Sequence, residues 1–285
     1  MLKDVTFGQY YPAESFAHRS DPRAKLLFLI GYIVAIFLAG NFYALGVCAV
    51  VLGVAIACSR VPLKSVLRSI KGILFLLIFT AVLNLFFYRG DTTVTIAGVP
   101  LQWGFIRITW EGVAFMLFFL IRLFLLVLSS ALLTLTTTPV NLTDGIESLL
   151  APLKWIRFPV HELALIMSIA LRFIPTLMDE TDRIMNAQKA RGADFEHGNP
   201  IRRIKAIIPV LIPLLISSFR RAEELGDAME ARCYSGSKVR TKYKKLKFGW
   251  RDIVIALFLA LLIAAVVAAN VLVENGTLPY FAILL

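Results

Sequence analysis

The chain has 285 residues, of which 58% are hydrophobic and 17% are charged, and its formal net charge at pH 7 is +11. Soluble domains contain about 25% charged residues, and disorder is excluded because it requires low hydrophobicity. Three cysteines, an odd number, do not make a disulfide scaffold. With a mean hydropathy of +0.76, the composition indicates a polytopic membrane protein.

Five charge-poor segments predict membrane-spanning helices. Residues 26–58 are uncharged over a length too great for one crossing, and Gly40 and Asn41 mark a turn within them. The predicted spans are residues 25–39, 42–58, 72–88, 112–135 and 253–273. The fold class that follows is all-α, a polytopic membrane protein with about five transmembrane helices. No cleavable signal is expected, because residues 1–24 contain three acids and no apolar core.

The loops between these spans predict the orientation of the chain. Residues 59–71 contain four cations and no acid, which places this loop in the cytoplasm. The loop at 89–111 balances two cations with two acids and is expected outside. The N-terminus and residues 139–251 are then cytoplasmic in a multi-pass protein of the cell membrane.

Most of the positive charge lies between the fourth and fifth spans. Residues 139–251 contain 19 of the 30 lysines and arginines, together with 12 of the 19 acidic residues. A large cytoplasmic region acquires such an excess through the positive-inside bias. We therefore expect no nucleic-acid binding.

The apolar runs of this same region are interrupted by charge and proline. The first contains Glu162, Arg172 and Pro175, and the second contains Pro209 and Pro213. Neither run is a good span, and each continues into charged helical sequence. We predict two long helices of about 30 residues, half embedded in the membrane and half exposed to the cytoplasm.

The two predicted helices end in a repeated pattern. An offset of 41 residues superposes Ala190 on Ala231 and Arg191 on Arg232. One face of each helix presents an apolar residue, a small residue and the arginine, which are Ile184, Ala187 and Arg191 in the first copy and Leu225, Ala228 and Arg232 in the second. Small residues allow close approach, and a guanidinium binds a carboxylate through two hydrogen bonds. The pattern indicates docking to two similar receptors or to one receptor with two similar subunits; the alternative is simple capping of the helix ends.

No catalytic, cofactor or metal site is predicted. The sequence has no P-loop for ATP, and Leu165 stands where a zinc-protease motif needs its second histidine. Within the spans only Arg122, Asn84 and Asn270 are strongly polar, so a relay of intramembrane carboxylates is missing. The predicted role is coupling rather than chemistry.

Four ordered motifs resemble those of the transmembrane T component of energy-coupling factor transporters, and the resemblance covers essentially the whole chain. They are GQYYPAESFAHRSDPRAK from Gly8 to Lys25, TTTP at Thr136–Pro139, LRFIP at Leu171–Pro175, and the pair Ala190-Arg191-Gly192 and Ala231-Arg232-Cys233. Two positions depart from the family pattern. Ala13 stands where the family often has glycine, and Cys233 replaces the glycine of the second signature, so we expect that helix end to move to Gly236.

The resemblance implies an importer of four parts that lies in the lipid bilayer. Two ABC-type ATPase subunits bind the ATP, and a small membrane S component captures a water-soluble vitamin or a transition-metal ion. The T component joins them through long cytoplasmic coupling helices. The implied division is residues 1–138 for four transmembrane helices, 139–251 for the coupling region and 252–285 for the last transmembrane helix.

The resemblance also assigns residues to these roles. Docking of the ATPases falls to Ala190, Arg191, Gly192, Ala231, Arg232 and Cys233. The apolar faces of residues 143–153, 160–178 and 201–219 would form the platform for the S component. Three prolines are candidate hinges where a helix can bend, namely Pro175, Pro209 and Pro213.

Three alternatives remain at this point. A dedicated cobalt or nickel uptake module is hard to separate from a shared vitamin module, because the substrate ligands would lie on the S component. We favour the vitamin type because the chain is not rich in histidine or methionine. A conventional solute-conducting permease would need a polar pathway between its spans. An intramembrane enzyme would need paired catalytic residues inside them.

Overall fold

The computed structural model describes residues 10–87, 95–96, 99–100, 102–103, 106–107, 109–156, 158–193, 195, 200–234 and 248–275. Nine α-helices are found in these ranges: α1 (Pro22–Leu38), α2 (Phe42–Ser59), α3 (Leu63–Lys71), α4 (Leu74–Phe87), α5 (Trp110–Thr136), α6 (Pro139–Leu149), α7 (Val160–Ala190), α8 (Pro200–Ala231) and α9 (Trp250–Glu274). A 3-10 helix (Ala151–Ile156) follows α6. Between α4 and α5, β1 (Thr95–Ile96) pairs antiparallel with β2 (Val99–Pro100), and β3 (Gln102–Trp103) pairs with β4 (Ile106–Arg107).

The chain forms two compact units. The larger unit comprises Gly8–Pro152 and Lys247–Leu285, and the smaller comprises Met1–Phe7 and Leu153–Leu246. In the larger unit α5 and α9 each pack against both α1 and α2, while α3 and α4 pack on α5 and α6 packs on α1. In the smaller unit α7 and α8 pack against each other.

The predicted all-α polytopic fold is confirmed, although two span assignments differ. Helices α2, α5, α7 and α9 are long and apolar enough to cross a membrane, and α3 with α4 forms a fifth candidate that is bent by 64°. The prediction that α7 is not a good span is wrong by length and composition, because the most apolar 18-residue stretch of this helix contains at most two charged residues. The predicted first span corresponds to α1, which at 17 residues lies at the lower limit for a crossing.

Short polar residues determine where the helices of the larger unit begin. The side chain of Asp21 accepts a hydrogen bond from a backbone N–H of α1, and Pro22 occupies the first helical position. Thr109 caps α5 and Thr138 caps α6 in the same way. These caps satisfy N–H groups that have no partner within the helix.

The core of the larger unit is built from the facing sides of α1, α2, α5 and α9. Tyr32, Phe118 and Leu262 are fully buried, and the Tyr32 hydroxyl donates to the Cys48 carbonyl at 3.0 Å. A Cβ atom at Gly31 would lie 2.7 Å from the Leu259 side chain. The missing side chain therefore allows α1 and α9 to approach closely.

Residues of the N-terminal signature join three helix ends into what we call the N-terminal junction. The Lys25 ammonium donates to the Thr136 carbonyl at 3.0 Å, at the end of α5. The Asp252 carboxylate accepts from the backbone N–H of Asp21 at 2.9 Å and from that of Gly249 at 2.8 Å. The starts of α1 and α9 and the end of α5 are thus held together by hydrogen bonds that involve charged groups.

Two of the three strongly polar residues of the spans, Arg122 and Asn270, donate to backbone carbonyls at the turn between α1 and α2. Arg122 donates to the Ala39 carbonyl at 2.6 Å and lies over the ring of Phe118, with 4.7 Å from its guanidinium carbon to the ring centroid. Asn270 donates to the Leu38 carbonyl at 2.7 Å. A positive charge at the carboxyl end of α1 also complements the helix dipole. These residues therefore secure a buried turn.

Candidate partner-docking site

Helix α7 ends in a hydrogen-bonded reverse turn immediately after Ala190. The backbone N–H of Gly192 donates to the Lys189 carbonyl at 3.0 Å, and that of Ala193 donates to the Gln188 carbonyl at 3.0 Å. Gly192 has a φ of +86°, a left-handed conformation that glycine adopts without steric cost. The turn satisfies carbonyls that the helix end would otherwise leave unpaired.

Helix α8 ends in the same turn, displaced by 41 residues. The backbone N–H of Cys233 donates to the Glu230 carbonyl at 2.8 Å, and that of Tyr234 donates to the Met229 carbonyl at 3.0 Å. Each donor and acceptor is the 41-residue equivalent of its counterpart in α7. The sequence repeat is therefore also a repeat of backbone geometry.

The prediction that the second helix end moves to Gly236 is wrong. Helix α8 stops at Ala231, because Cys233 itself adopts the left-handed conformation with a φ of +57°. A residue with a side chain pays about 1–2 kcal/mol for that conformation. The hydrogen bonds of the turn offset this cost.

The two helix ends present matching surfaces. In both copies the apolar residue of the face is half-buried, and the alanines and the arginine are exposed; these residues are Ile184, Ala187, Ala190 and Arg191 in α7 and Leu225, Ala228, Ala231 and Arg232 in α8. The Arg191 and Arg232 guanidinium groups form neither an ion pair nor a hydrogen bond with any residue that the structure describes. Among the described residues nothing occupies the donors of either group, and guanidinium donors suit an acceptor such as a carboxylate.

Comparison with known proteins assigns the family. The family model described as cobalt transport protein, CbiQ, matches residues 13–243. Three relatives are named energy-coupling factor transporter transmembrane protein EcfT. That of Ruminiclostridium cellulolyticum is 49% identical over 255 residues, 90% of this chain and 93% of the relative. That of Brevibacillus brevis is 48% identical over 266 residues, 93% and 98% of the two chains. That of Clostridium kluyveri is 47% identical over 272 residues, which are 95% of this chain and 98% of the relative.

The chain belongs to the EcfT family. The resemblance drawn from the four motifs is confirmed, and the chain is a transmembrane component of an energy-coupling factor transporter. The relatives are named as transporter components rather than as enzymes.

An ion pair between the two long helices of this EcfT-family chain was not predicted. Arg221 of α8 and Glu180 of α7 lie 3.4 Å apart between side-chain nitrogen and oxygen, and both side chains are about two-thirds buried, with 33% and 27% of their surfaces exposed. The two positions are equivalent in the 41-residue repeat. The sequence contained a signal for this ion pair, because residues 180 and 221 are equivalent in the repeat and have opposite charges. Two helices that cross at equivalent positions bring those residues face to face.

The three prolines lie inside helices that continue through them. Because Pro213 has no N–H, the Pro209 carbonyl four residues earlier loses its helical donor. The Gln188 side-chain amide of α7 donates to that carbonyl at 3.5 Å. In α7, Pro175 likewise removes a helical hydrogen bond. The role of the prolines as hinges stays a prediction.

The described residues contain no group of three or more histidine, cysteine or acidic side chains placed to hold a metal ion. The three cysteines are free thiols, with Cys48 buried and Cys58 and Cys233 exposed.

Proposed function

We propose that this chain is the coupling subunit of an ABC-type importer, with two ATPase subunits docked on the ends of α7 and α8. The observation that supports this most is the pair of matching helix ends, each with an exposed guanidinium that has no partner among the described residues. In this proposal the ATPase subunits bind ATP, and the chain itself hydrolyses none. A small membrane S component captures the substrate.

The chemistry of docking follows from the residues at each end. Ala187 and Ala228 lie one helical turn before the arginines and allow an ATPase groove to approach the helix closely. Within such a groove Arg191 and Arg232 would each bind a carboxylate in a two-pronged contact. Removing one member of a desolvated pair costs about 3–5 kcal/mol, so each contact would resist force along the helix.

The two long helices would transmit the motion. Helix α7 has 31 residues and α8 has 32, and helices of this size are about 45 Å long. The ion pair between Glu180 and Arg221 would make them move together. The prolines would serve as bending points, because each removes a helical hydrogen bond.

The apolar face of α8 is the feature that supports a platform, which the S component would contact. Large apolar side chains lie more than half exposed along this helix, among them Leu211, Ile212, Leu215, Ile216 and Phe219. An apolar surface of this kind marks a contact with lipid or with another membrane protein. We propose that the S component covers it.

For the substrate, we propose micronutrient uptake of the shared vitamin type. The relatives' names specify the energy-coupling factor without a metal. The second candidate is a cobalt or nickel module, which the description of the matching family model favours. The test is co-purification in mild detergent followed by uptake of labelled water-soluble vitamins and labelled Co²⁺ by the recovered complex. Uptake of Co²⁺ alone would favour the metal module.

The docking proposal is tested by replacing the two arginines. Arg191→Ala or Arg232→Ala should lower uptake and loosen one ATPase, while the double variant should abolish co-purification of both, because two linked contacts tether more strongly than one. Lysine at either position should rescue only in part, since an ammonium cannot form the two-pronged contact. The measurement is ATPase recovery with the tagged chain, together with uptake.

Arg220→Ala is the matched control. This exposed arginine lies on α8, on a different face from the stripe of Leu225, Ala228 and Arg232. Arg220→Ala therefore removes one positive charge, as each single docking variant does, and leaves the helix end unchanged. Assembly should be unaffected. A double alanine variant that still recovers both ATPases and transports normally would refute the docking role.

A further inference from the structure

A cavity of about 310 Å³ lies within the larger unit. Its wall is formed by α1, α2, α5, α9 and the residues just before α1, and the lining is almost entirely apolar. Phe28, Leu52, Leu132 and Phe258 contribute to it. The cavity adjoins the N-terminal junction, because Lys25 and Thr136 also belong to its wall.

The polar side chains of the wall are already hydrogen-bonded within the protein. Lys25 donates its ammonium protons to the Thr136 carbonyl at 3.0 Å and to the Thr137 hydroxyl at 3.3 Å. The Ser129 hydroxyl donates to a carbonyl of its own helix at 2.8 Å, as does that of Thr136. A polar ligand would find these groups occupied and would lose its own hydrogen bonds to water on entry. The wall therefore selects an apolar occupant.

The cavity reaches from the buried core to the outer surface of the larger unit. Leu52 is 1% exposed, whereas Val54 is 45% and Val254 is 42% exposed. Val54 lies on α2, a helix long and apolar enough to cross a membrane, as is α9, which contains Val254. Exposed residues of the wall thus lie on helices that are long and apolar enough to cross a membrane.

We propose that this cavity binds one acyl chain of a membrane lipid. The volume holds about ten groups the size of a water molecule, which suits a flexible chain of methylene groups. Left empty, the wall atoms would lack dispersion contacts on one side. An acyl chain supplies them and requires no hydrogen bond. It enters from the bilayer through the opening beside Val54.

The test uses the full-length chain in vesicles that contain phosphatidylglycerol with a photoreactive diazirine in one acyl chain. A parallel set contains diazirine-labelled palmitic acid in unlabelled phosphatidylglycerol, which separates a phospholipid chain from a free fatty acid. After irradiation, mass spectrometry locates the adducts. We expect adducts on cavity-lining residues of α2, α5 and α9, in one set or both.

Two variants fill the cavity at different points. Val54→Trp blocks the rim, and Ala55→Phe fills the interior beside it; each should lower the yield of cavity adducts at least fivefold. The matched control is Val50→Trp, one turn earlier on α2. Val50 is 68% exposed and does not line the cavity. It should leave the cavity adducts unchanged.

Three results would overturn the proposal. The first is adducts confined to outward-facing residues, and the second is cavity adducts that persist in both filled variants with unchanged yield. The third is loss of the cavity adducts when partner subunits are co-reconstituted, which would show that a protein side chain occupies the space. Because Val54 is half-exposed, Val54→Trp should keep the thermal stability of the unaltered chain. A loss of adducts in a variant that is still stable reflects blocking of the cavity rather than unfolding.

Discussion

The ends of α7 and α8 differ in the conformational free energy that one backbone φ angle costs. Gly192 and Cys233 both adopt a left-handed φ, at +86° and +57°. Only glycine does so without a clash between its side chain and the backbone. A Cβ at Gly192 would meet no atom of the described residues within 4 Å, so the cost expected there is conformational.

We predict opposite effects of substitution at these two positions. Gly192→Ala should destabilise the chain by about 1 kcal/mol and Cys233→Gly should stabilise it by a similar amount, which corresponds to shifts of about 2–4 °C in apparent Tm. Thermal unfolding in detergent measures both. Gly226→Ala, inside α8, should instead stabilise, because alanine is the better helix former. If Gly226→Ala lowered the apparent Tm as much as Gly192→Ala, the conformational explanation would be contradicted.

The surroundings of His18 disfavour its protonated form. Its Nε2 donates to the Tyr11 carbonyl at 2.9 Å, so its Nδ1 accepts from the Ser15 hydroxyl at 2.7 Å. Burial lowers the pKa of the imidazole below its ordinary value of 6.5; the hydrogen bond to the Tyr11 carbonyl opposes this shift in part, and the positive charge of Lys25 adds to it. The folded chain thus binds fewer protons at His18 than the unfolded chain.

Stability should therefore depend on pH through His18. The contribution is fully present above pH 6.5 and is lost as the pH falls through the lowered pKa of the folded state. We expect the apparent Tm to fall by a few degrees between pH 7.5 and pH 5.5, and His18→Gln to reduce this dependence. His161→Gln controls for the removal of a histidine elsewhere and should leave the dependence in place. An unchanged pH profile in His18→Gln would show that another group is responsible.

At the scale of elements, the ion pair between α7 and α8 can be tested by exchanging its charges. Glu180→Arg places two guanidinium groups together and should destabilise the chain, and the double variant Glu180→Arg, Arg221→Glu should restore the pair. Since both side chains are partly exposed, the coupling energy should be about 0.2–1 kcal/mol. A double-mutant cycle on apparent Tm measures it. No recovery in the double variant would mean that the two residues act independently.

The sequence was sufficient for the lengths of these helices and insufficient for their ends and contacts. Both helices of about 30 residues were predictable, because each apolar run, although interrupted by proline or charge, leads directly into charged helical sequence. The end of α8 was not, because glycine preference pointed to Gly236, while the backbone turn repeated that of α7 and imposed its conformation on Cys233. The repeat marks Glu180 and Arg221 as equivalent positions of opposite charge, but whether they meet depends on where the two helices cross, which the sequence does not give.

The same limit applies to the helices of the larger unit. The break between α3 and α4 places a 64° bend at the start of the predicted third span, and residues 72–88 contain no proline to signal it. Arg122 and Asn270 were recognised as unusual inside their spans. Their acceptors, the last carbonyls of α1, could be identified only when the buried turn was seen.

At the scale of the whole molecule, the proposed orientation predicts which positions face the cytoplasm. In a chain with Cys58 and Cys233 replaced by serine, a new cysteine at Ser65 or at Arg240, which lies outside the described residues, should be protected from an impermeant maleimide in intact cells. A cysteine at Thr95 should react, because the positive-inside bias places that loop outside. Buried Cys48 provides the unreactive background. Labelling at position 240 would reverse the orientation and remove the coupling role.

The hydrogen bond between Asp21 and Asp252 joins residues that are 231 positions apart. During synthesis the ribosome must therefore release α1 long before its partner α9 exists. Until then the N-terminal junction lacks its carboxylate acceptor, and the side of α1 that packs on α9 has no protein neighbour. Contacts of such large sequence separation form late and slowly. Helix α9 is the last helix of the larger unit to be made, so we expect a ribosome that stalls before α9 to leave an incomplete helix bundle.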